Sequence, residues 1–306
     1  MLASMQRTPS PAMRRRRLGL ELRRFRLAAG LTGDQVVERI GWAAKSKLSR
    51  LENGRSRPDL SDILDLLDLY QVIGEIREEL ISIAREAGNT RWLRAYPVMT
   101  AQQRGYAELE ASAVHIREYS VTTIPGLLQT AEYARVRIMS ARSLQTLAHP
   151  VPDQSGTQQA QRDAEAEIEA RLARQAILTR AVDPPTYEAI IDQNALSGRC
   201  APRDVLCGQM IHLRAVASLP NVTLQVLPTD ARVADYYQPQ HGFSMYAFAD
   251  PRDLQTVAVE ALAGDLILTD RGAASRYARV YEWLRTAALS PEATVDWLAG
   301  QVNATR

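Results

Sequence analysis

Apolar side chains at Leu18, Leu22, Phe25 and Ala29 recur at helical spacing, and Gly30 follows where a helix commonly ends, so a first helix is expected over about 18–29. Thr32 then stands as an N-cap with Gln35 three residues on, a capping box that opens a second helix over 33–40, buried through Val36, Val37 and Ile40. Gly41 closes it and allows the positive φ of a tight turn between helices. A third helix, about 44–53, has only Leu48 and Leu51 as an apolar stripe. Lys45, Ser46, Lys47, Ser49 and Arg50 form a polar face with no acid until Glu52. Gly54 ends this helix, and Arg55, Ser56 and Arg57 lead through Pro58 into a fourth helix closed through Leu60, Ile63, Leu64, Leu67 and Tyr70. Ile76, Leu80, Ile83 and Ala84 repeat the pattern up to Gly88.

Beyond residue 100 the periodicity mixes. Helices are expected over 104–113, 127–139, a long charged stretch through Ile168, Leu172, Ala176 and Ile177, 202–218, buried through Val205, Met210, Leu213 and Val216, and 271–289. Strands are expected over 116–124, through Tyr187, Ala189 and Ile191, and over 222–227, 243–248, 256–261 and 265–269, the last two joined at Gly264. Pro125-Gly126 suits a strand-to-helix turn, and the polar stretch 140–161, with Pro150, Pro152 and Gly156, reads as a mobile loop. The fold expected is an all-α helix-turn-helix head followed by an α+β domain, its sheet mainly antiparallel or mixed with helices on one face. The divisions are a disordered basic arm over 1–16, a helix-turn-helix domain over 17–88, a docked linker over 89–103 holding Trp92 and Tyr96, an α+β domain over 104–290 and a tail over 291–306.

Cations and hydroxyls at the front of the second helix of such a pair suit a DNA major groove, where Lys can bond guanine O6 and N7 and Arg can neutralise phosphate. The DNA-facing set is Thr32, Gln35, Lys45, Ser46, Lys47, Ser49 and Arg50, with Asn53, Arg55 and Arg57 on backbone. An ordinary solvated helix face is the plain alternative, but a capped helix, Gly turn, basic helix, Gly stop and basic loop in that order favour DNA.

At these residues the chain resembles the Xre-type helix-turn-helix regulators, a lambda-repressor-like family, through FRLAAGLT (Phe25–Thr32), VVERIG (Val36–Gly41) and SKLSRLENGRSRP (Ser46–Pro58). The resemblance implies that Arg26 pairs with Glu52. It departs from that family at Gly33, at Val37, and by one extra residue between Trp42 and Ser46, where Lys45 takes the place of a base-reading Gln. The second half resembles the C-terminal domain of unknown function of actinobacterial Xre-type regulators through TIPGLLQTAEYARV (Thr123–Val136), RLARQAILTR (Arg171–Arg180), LPNVTLQVLP (Leu219–Pro228) and VEALAGDLIL (Val259–Leu268). That resemblance implies a one-component or partner-controlled transcription regulator, often encoded beside a small partner protein, and it assigns no catalytic residue.

The 306 residues allow roughly two domains. Hydrophobic residues are 46% and charged residues 24%, an ordinary globular composition. A net charge of only +2 confines any DNA affinity to local basic clusters, of which Arg14–Arg17 is one. That cluster could reach an adjacent groove as N-terminal arms do, or be a plain unstructured leader. Cys200 and Cys207 lack a matching pair or histidine cluster and read as reduced thiols of a cytoplasmic, nucleoid-associated protein, with a redox switch the lesser alternative. No apolar run approaches the roughly 18 residues of a membrane span, and the first seventeen residues have no signal-peptide core.

No catalytic constellation, metal site or cofactor motif is expected. His115, His149, His212 and His241 are scattered, and HExxH, GxSxG, Walker and GxGxxG patterns are lacking. The loop bearing Tyr236, Tyr237, Gln238 and His241 is the candidate for a small-molecule effector, unless its rings merely cover the sheet. The expected partners are double-stranded operator DNA, a second copy of the chain, and a small protein or effector on the second domain. The runner-up function is a partner-neutralising, antitoxin-like interaction module whose DNA binding is autoregulatory.

Overall fold

A computed structural model describes residues 11–54, 56, 58–86, 101–148, 154–250, 253, 255–261 and 265–305. The chain divides into two compact units. One holds the N-terminal helices together with Gln103–Ser112 and Ala249–Asp253; the other holds the sheet and the remaining helices.

The first unit contains α1 (Pro11–Ala28), α2 (Gly33–Ile40), α3 (Lys45–Glu52), α4 (Leu60–Leu69), α5 (Gly74–Glu86) and nearly all of α6 (Ala101–Ser112). The core of α1 to α5 is built from Leu18, Leu22, Val36, Leu48, Leu51, Ile63, Leu66, Leu67 and Leu80, with Phe25, Val37, Ile40 and Trp42 packed against it. Helix α1 begins well before Leu18. The basic stretch expected as a disordered arm is helical from Pro11, and residues 1–10 lie outside the described residues. Arginine is a good helix former, and acids from elsewhere in the chain meet these cations, which a count of local charge does not reveal. The expected docked linker also falls outside the described residues, apart from the start of α6.

Helices α1 and α3 touch backbone to backbone. A methyl group at Gly19 would fall 2.5 Å from the Glu52 carbonyl oxygen and still nearer that of Leu51, so only glycine permits this crossing.

The second unit carries a six-stranded mixed sheet in the order β3-β2-β1-β4-β5-β6, formed by β1 (Ala113–Ser120), β2 (Thr186–Asp192), β3 (Val222–Leu227), β4 (Phe243–Phe248), β5 (Thr256–Val259) and β6 (Leu266–Leu268). The first three strands are parallel and the rest antiparallel. On one face Tyr119, Ile190, Leu227, Phe243, Met245 and Val257 pack on Ala274, Tyr281 and Leu284 of α10 (Arg271–Ala287). Residues of opposite parity, Ile116, Tyr187, Ala189 and Ile191, are equally buried. Both faces of the middle strands are therefore covered, rather than one, as parallel strands require.

Three further differences from the sequence reading have physical causes. The stretch expected as a loop over 140–161 is mostly helix, since α7 (Ala131–Ala148) runs on from a 3-10 turn at Gly126–Leu128 and α8 (Gln154–Gln175) resumes after the prolines. Proline stops a helix but leaves its Ala- and Gln-rich flanks free to form one. Helix α9 (Arg203–Val216) turns Leu206, Met210 and Leu213 inward rather than Val205. The expected tail forms α11 (Pro291–Thr305), which packs on α9. The Val226 carbonyl accepts from the Leu289 N–H at 2.9 Å and the Val226 N–H donates to the Thr294 hydroxyl at 3.0 Å, so this segment satisfies the open edge of β3. The turn at Gly264 lies outside the described residues.

Candidate nucleic-acid interface

The local code for the helix pair is realised atom by atom. The Thr32 hydroxyl accepts from the Gln35 N–H at 3.3 Å and the Gln35 side chain accepts from the Thr32 N–H at 2.8 Å, closing the capping box. Gly41 adopts φ 77° and ends α2. The Trp42 N–H returns to the Val37 carbonyl at 2.9 Å, and the turn then runs through to Ala44. Ala44 stands at the N-cap of α3 without a side-chain cap, leaving that end suited to a phosphate.

Arg26 of α1 holds the far end of α3. Its Nε donates to Glu52 Oε1 at 2.6 Å, Nη2 donates to Oε2 at 3.0 Å, and Nη1 donates to the Leu31 carbonyl at 2.9 Å. Hydrogen bonding to Glu52 holds the Arg26 guanidinium above its ordinary range against the pull of burial. The pair implied by the family resemblance is thus present.

The cations of α3 are not equivalent. Lys45 pairs with Asp34 of α2 at 2.7 Å, both side chains being well exposed. Lys47 is held more firmly, with its Nζ 2.6 Å from Asp62 of α4 and 4.4 Å from the centre of the Trp42 ring. Asn53 donates to the Ser49 carbonyl at 2.7 Å. Ser46, Ser49 and Arg50 are exposed, and Arg50 makes no ion pair among the described residues. Arg55 and Arg57 lie outside the described residues. Asp34 and Asp62, partners that sequence reasoning missed, sit on neighbouring helices, and only the packing of α2 and α4 brings them to the lysines.

The basic run on α1 is met in the same way. Arg15 pairs with Glu108 of α6 at 2.5 Å, and Arg17 pairs with Glu79 of α5 and with Asp250 at 3.3 Å. Burial pushes the Glu108 carboxyl up, opposed chiefly by Arg15, while burial lowers Arg14, opposed by Asp253.

The effector candidates occupy an exposed turn of the second unit. Ala234–Tyr236 forms a 3-10 turn in which Asp235 and Tyr236 take φ of 35° and 61°, and Tyr236 is 76% exposed. Tyr237, Gln238 and His241 are exposed too. Their ring contacts lead to different neighbours: Arg232 lies 4.2 Å over Tyr236, Tyr237 meets Trp283 at 5.5 Å and His241 meets Tyr277 at 6.1 Å. Cys200 and Cys207 are free thiols, and Cys200 is buried, its thiol directed to the Thr122 and Asn194 carbonyls. Among the described residues no group of three or more His, Cys, Asp and Glu is arranged to hold a metal ion, and no helix is long and apolar enough to cross a membrane.

Two family models match the chain, a helix-turn-helix domain over residues 17–80 and a domain of unknown function, DUF5753, over residues 103–300. No curated protein and no solved structure matches it.

Proposed function

The chain belongs to the DUF5753 family, whose model covers more than half of it, and we propose that it is a sequence-specific DNA-binding transcription regulator of the Xre type acting in the cytoplasm. The observation that carries this reading is the pairing of a clasped helix-turn-helix with an open polar face on α3. Arg26 and Glu52 fix that helix at one end, and Ser46, Ser49 and Arg50 stand exposed along it. In the complex Lys45 leaves Asp34 to face a base edge, Arg50 meets phosphate, and Thr32, Gln35, Asn53, Arg55 and Arg57 lie toward the backbone. Lys47 contributes to the potential of the face while staying near Trp42. One short helix reads too few base pairs for a unique address, so the protein binds as a dimer on a pseudo-palindromic site. The second unit receives the signal, from a partner protein or a small effector.

Fluorescence anisotropy on the chain's own upstream DNA and on a scrambled duplex, over a range of salt, tests the reading. Tighter binding to the native duplex that persists as salt rises is the expected result. Equal and steeply salt-sensitive binding to both would leave only a weak basic surface.

The exposed rings of Tyr236, Tyr237 and Trp283 favour a second reading, in which the second unit captures a partner protein and DNA binding serves autoregulation. A stable complex on co-expression with a neighbouring gene product, together with a DNA affinity that changes only in that complex, would support it.

A further inference from the structure

The strands β1 and β4 lie side by side at the centre of the sheet, and their register ends with Ala113 opposite Phe248. Two segments of the first unit are continuous in sequence with these strands. Helix α6 reaches Ala113 through Ser112, and Ala249–Asp253 follows Phe248 directly. Each carries an acid that meets α1. Glu108, 4% exposed, receives Arg15, and Asp250 receives Arg17, which also binds Glu79 of α5. Beside these contacts α1 crosses close to the backbone of α3, with Gly19 against the Leu51 and Glu52 carbonyls, while a methyl group at Gly54 would fall 2.8 Å from Arg16 Cα. A shift of α1 by a fraction of an ångström therefore cannot be absorbed by side chains at this crossing. It must move the end of α3.

We propose that Arg15 and Arg17 form a clamp through which α6 and the segment Ala249–Asp253, the parts of the first unit that lead into β1 and follow β4 in the chain, set the position of α1 and thereby control the recognition helix α3. The run of arginines is thus an internal lever rather than an arm for DNA. A ligand or partner that displaces either segment breaks an ion pair on α1, and the close crossing passes that change to the reading face. The regulatory meaning of the clamp rests on the DNA-reading function proposed above; the mechanical coupling does not.

Hydrogen exchange followed by mass spectrometry on the full chain tests the coupling without DNA. Asp250→Asn changes a partly exposed acid remote in sequence from both helices, and its fold is checked by unchanged exchange in β2 and β3. Exchange is expected to rise about fivefold in α1 and also in α3, the scale of one lost part-buried ion pair. Glu108→Gln, which keeps the shape of the side chain, is expected to act in the same direction. Unchanged exchange in α3 of both variants overturns the proposal, and so does a rise confined to α1, which would reduce the clamp to a local tie. Anisotropy on the upstream duplex separates the two readings. A protein whose α3 loosens in Asp250→Asn but which binds no DNA overturns the function and leaves the clamp standing.

Discussion

Arg26 and Glu52 stand 26 positions apart and meet through two parallel hydrogen bonds, with the third arm of the guanidinium on the Leu31 carbonyl. One side chain thereby ties α1, the turn before α2 and the end of α3. Both partners are largely buried, so removing either leaves an uncompensated charge among apolar neighbours. Arg26→Ala should cost about 3 kcal/mol in urea unfolding of the full chain and abolish preference for the native duplex. Arg26→Lys should recover little, because an ammonium cannot reproduce the fork. A loss below about 1 kcal/mol would show the pair to be incidental.

Gly19→Ala probes the helix crossing. The added methyl meets two backbone carbonyls, which cannot rotate away as a side chain tip would. Overpacking of this kind costs about 2 kcal/mol, and thermal unfolding should show it while the equivalent change at Gly105, which faces open space, leaves the midpoint nearly unmoved.

The two lysines of α3 should part company in binding assays. Lys45, on an exposed ion pair, is free to move to a base, so Lys45→Ala should relax preference at one position of the site. Arg50→Ala should weaken binding to all duplexes alike and lower the salt slope by about one. Asp34→Asn should strengthen binding to every duplex, since it removes a competing carboxylate. Identical site preference in wild type and Lys45→Ala would take Lys45 out of the reading set.

Acid stability should depend on Glu188. The hydrogen bond from His115 at 2.7 Å holds its carboxyl below the ordinary value, against burial and with help from Arg117. A depressed folded-state pKa means that the contribution is complete above the unfolded value of 4.5 and fades as pH falls through the lower folded value. The melting temperature of wild type should therefore exceed that of Glu188→Gln at pH 6, and the gap should close as acid is added below pH 4.5. A gap that persists in acid would refute the assignment.

Thr294→Val keeps the shape of the side chain and removes the acceptor for the Val226 N–H. Thr294 is fully buried, so the orphaned donor should cost about 1–3 kcal/mol. Wild-type stability in this variant would mean that α11 is not part of the second unit's fold.

The sequence by itself determined the short-range features. Thr32 and Gln35 close a capping box within four residues, Gly41 needs a positive φ at its own position, and the strand Val222–Leu227 ends where its alternation and flanking prolines end it. Each of these rests on interactions between residues a few positions apart, which a linear reading carries in full. What the tertiary structure decided lies between residues far apart. Asp34 and Asp62 reach the lysines of α3 from other helices, Glu108 and Asp250 turn an expected loose arm into part of α1, and the open edge of β3 makes a helix of residues expected as a tail. A charge or an unpaired strand edge announces a need in the sequence, but the partner that meets it is fixed only by how the helices and strands pack.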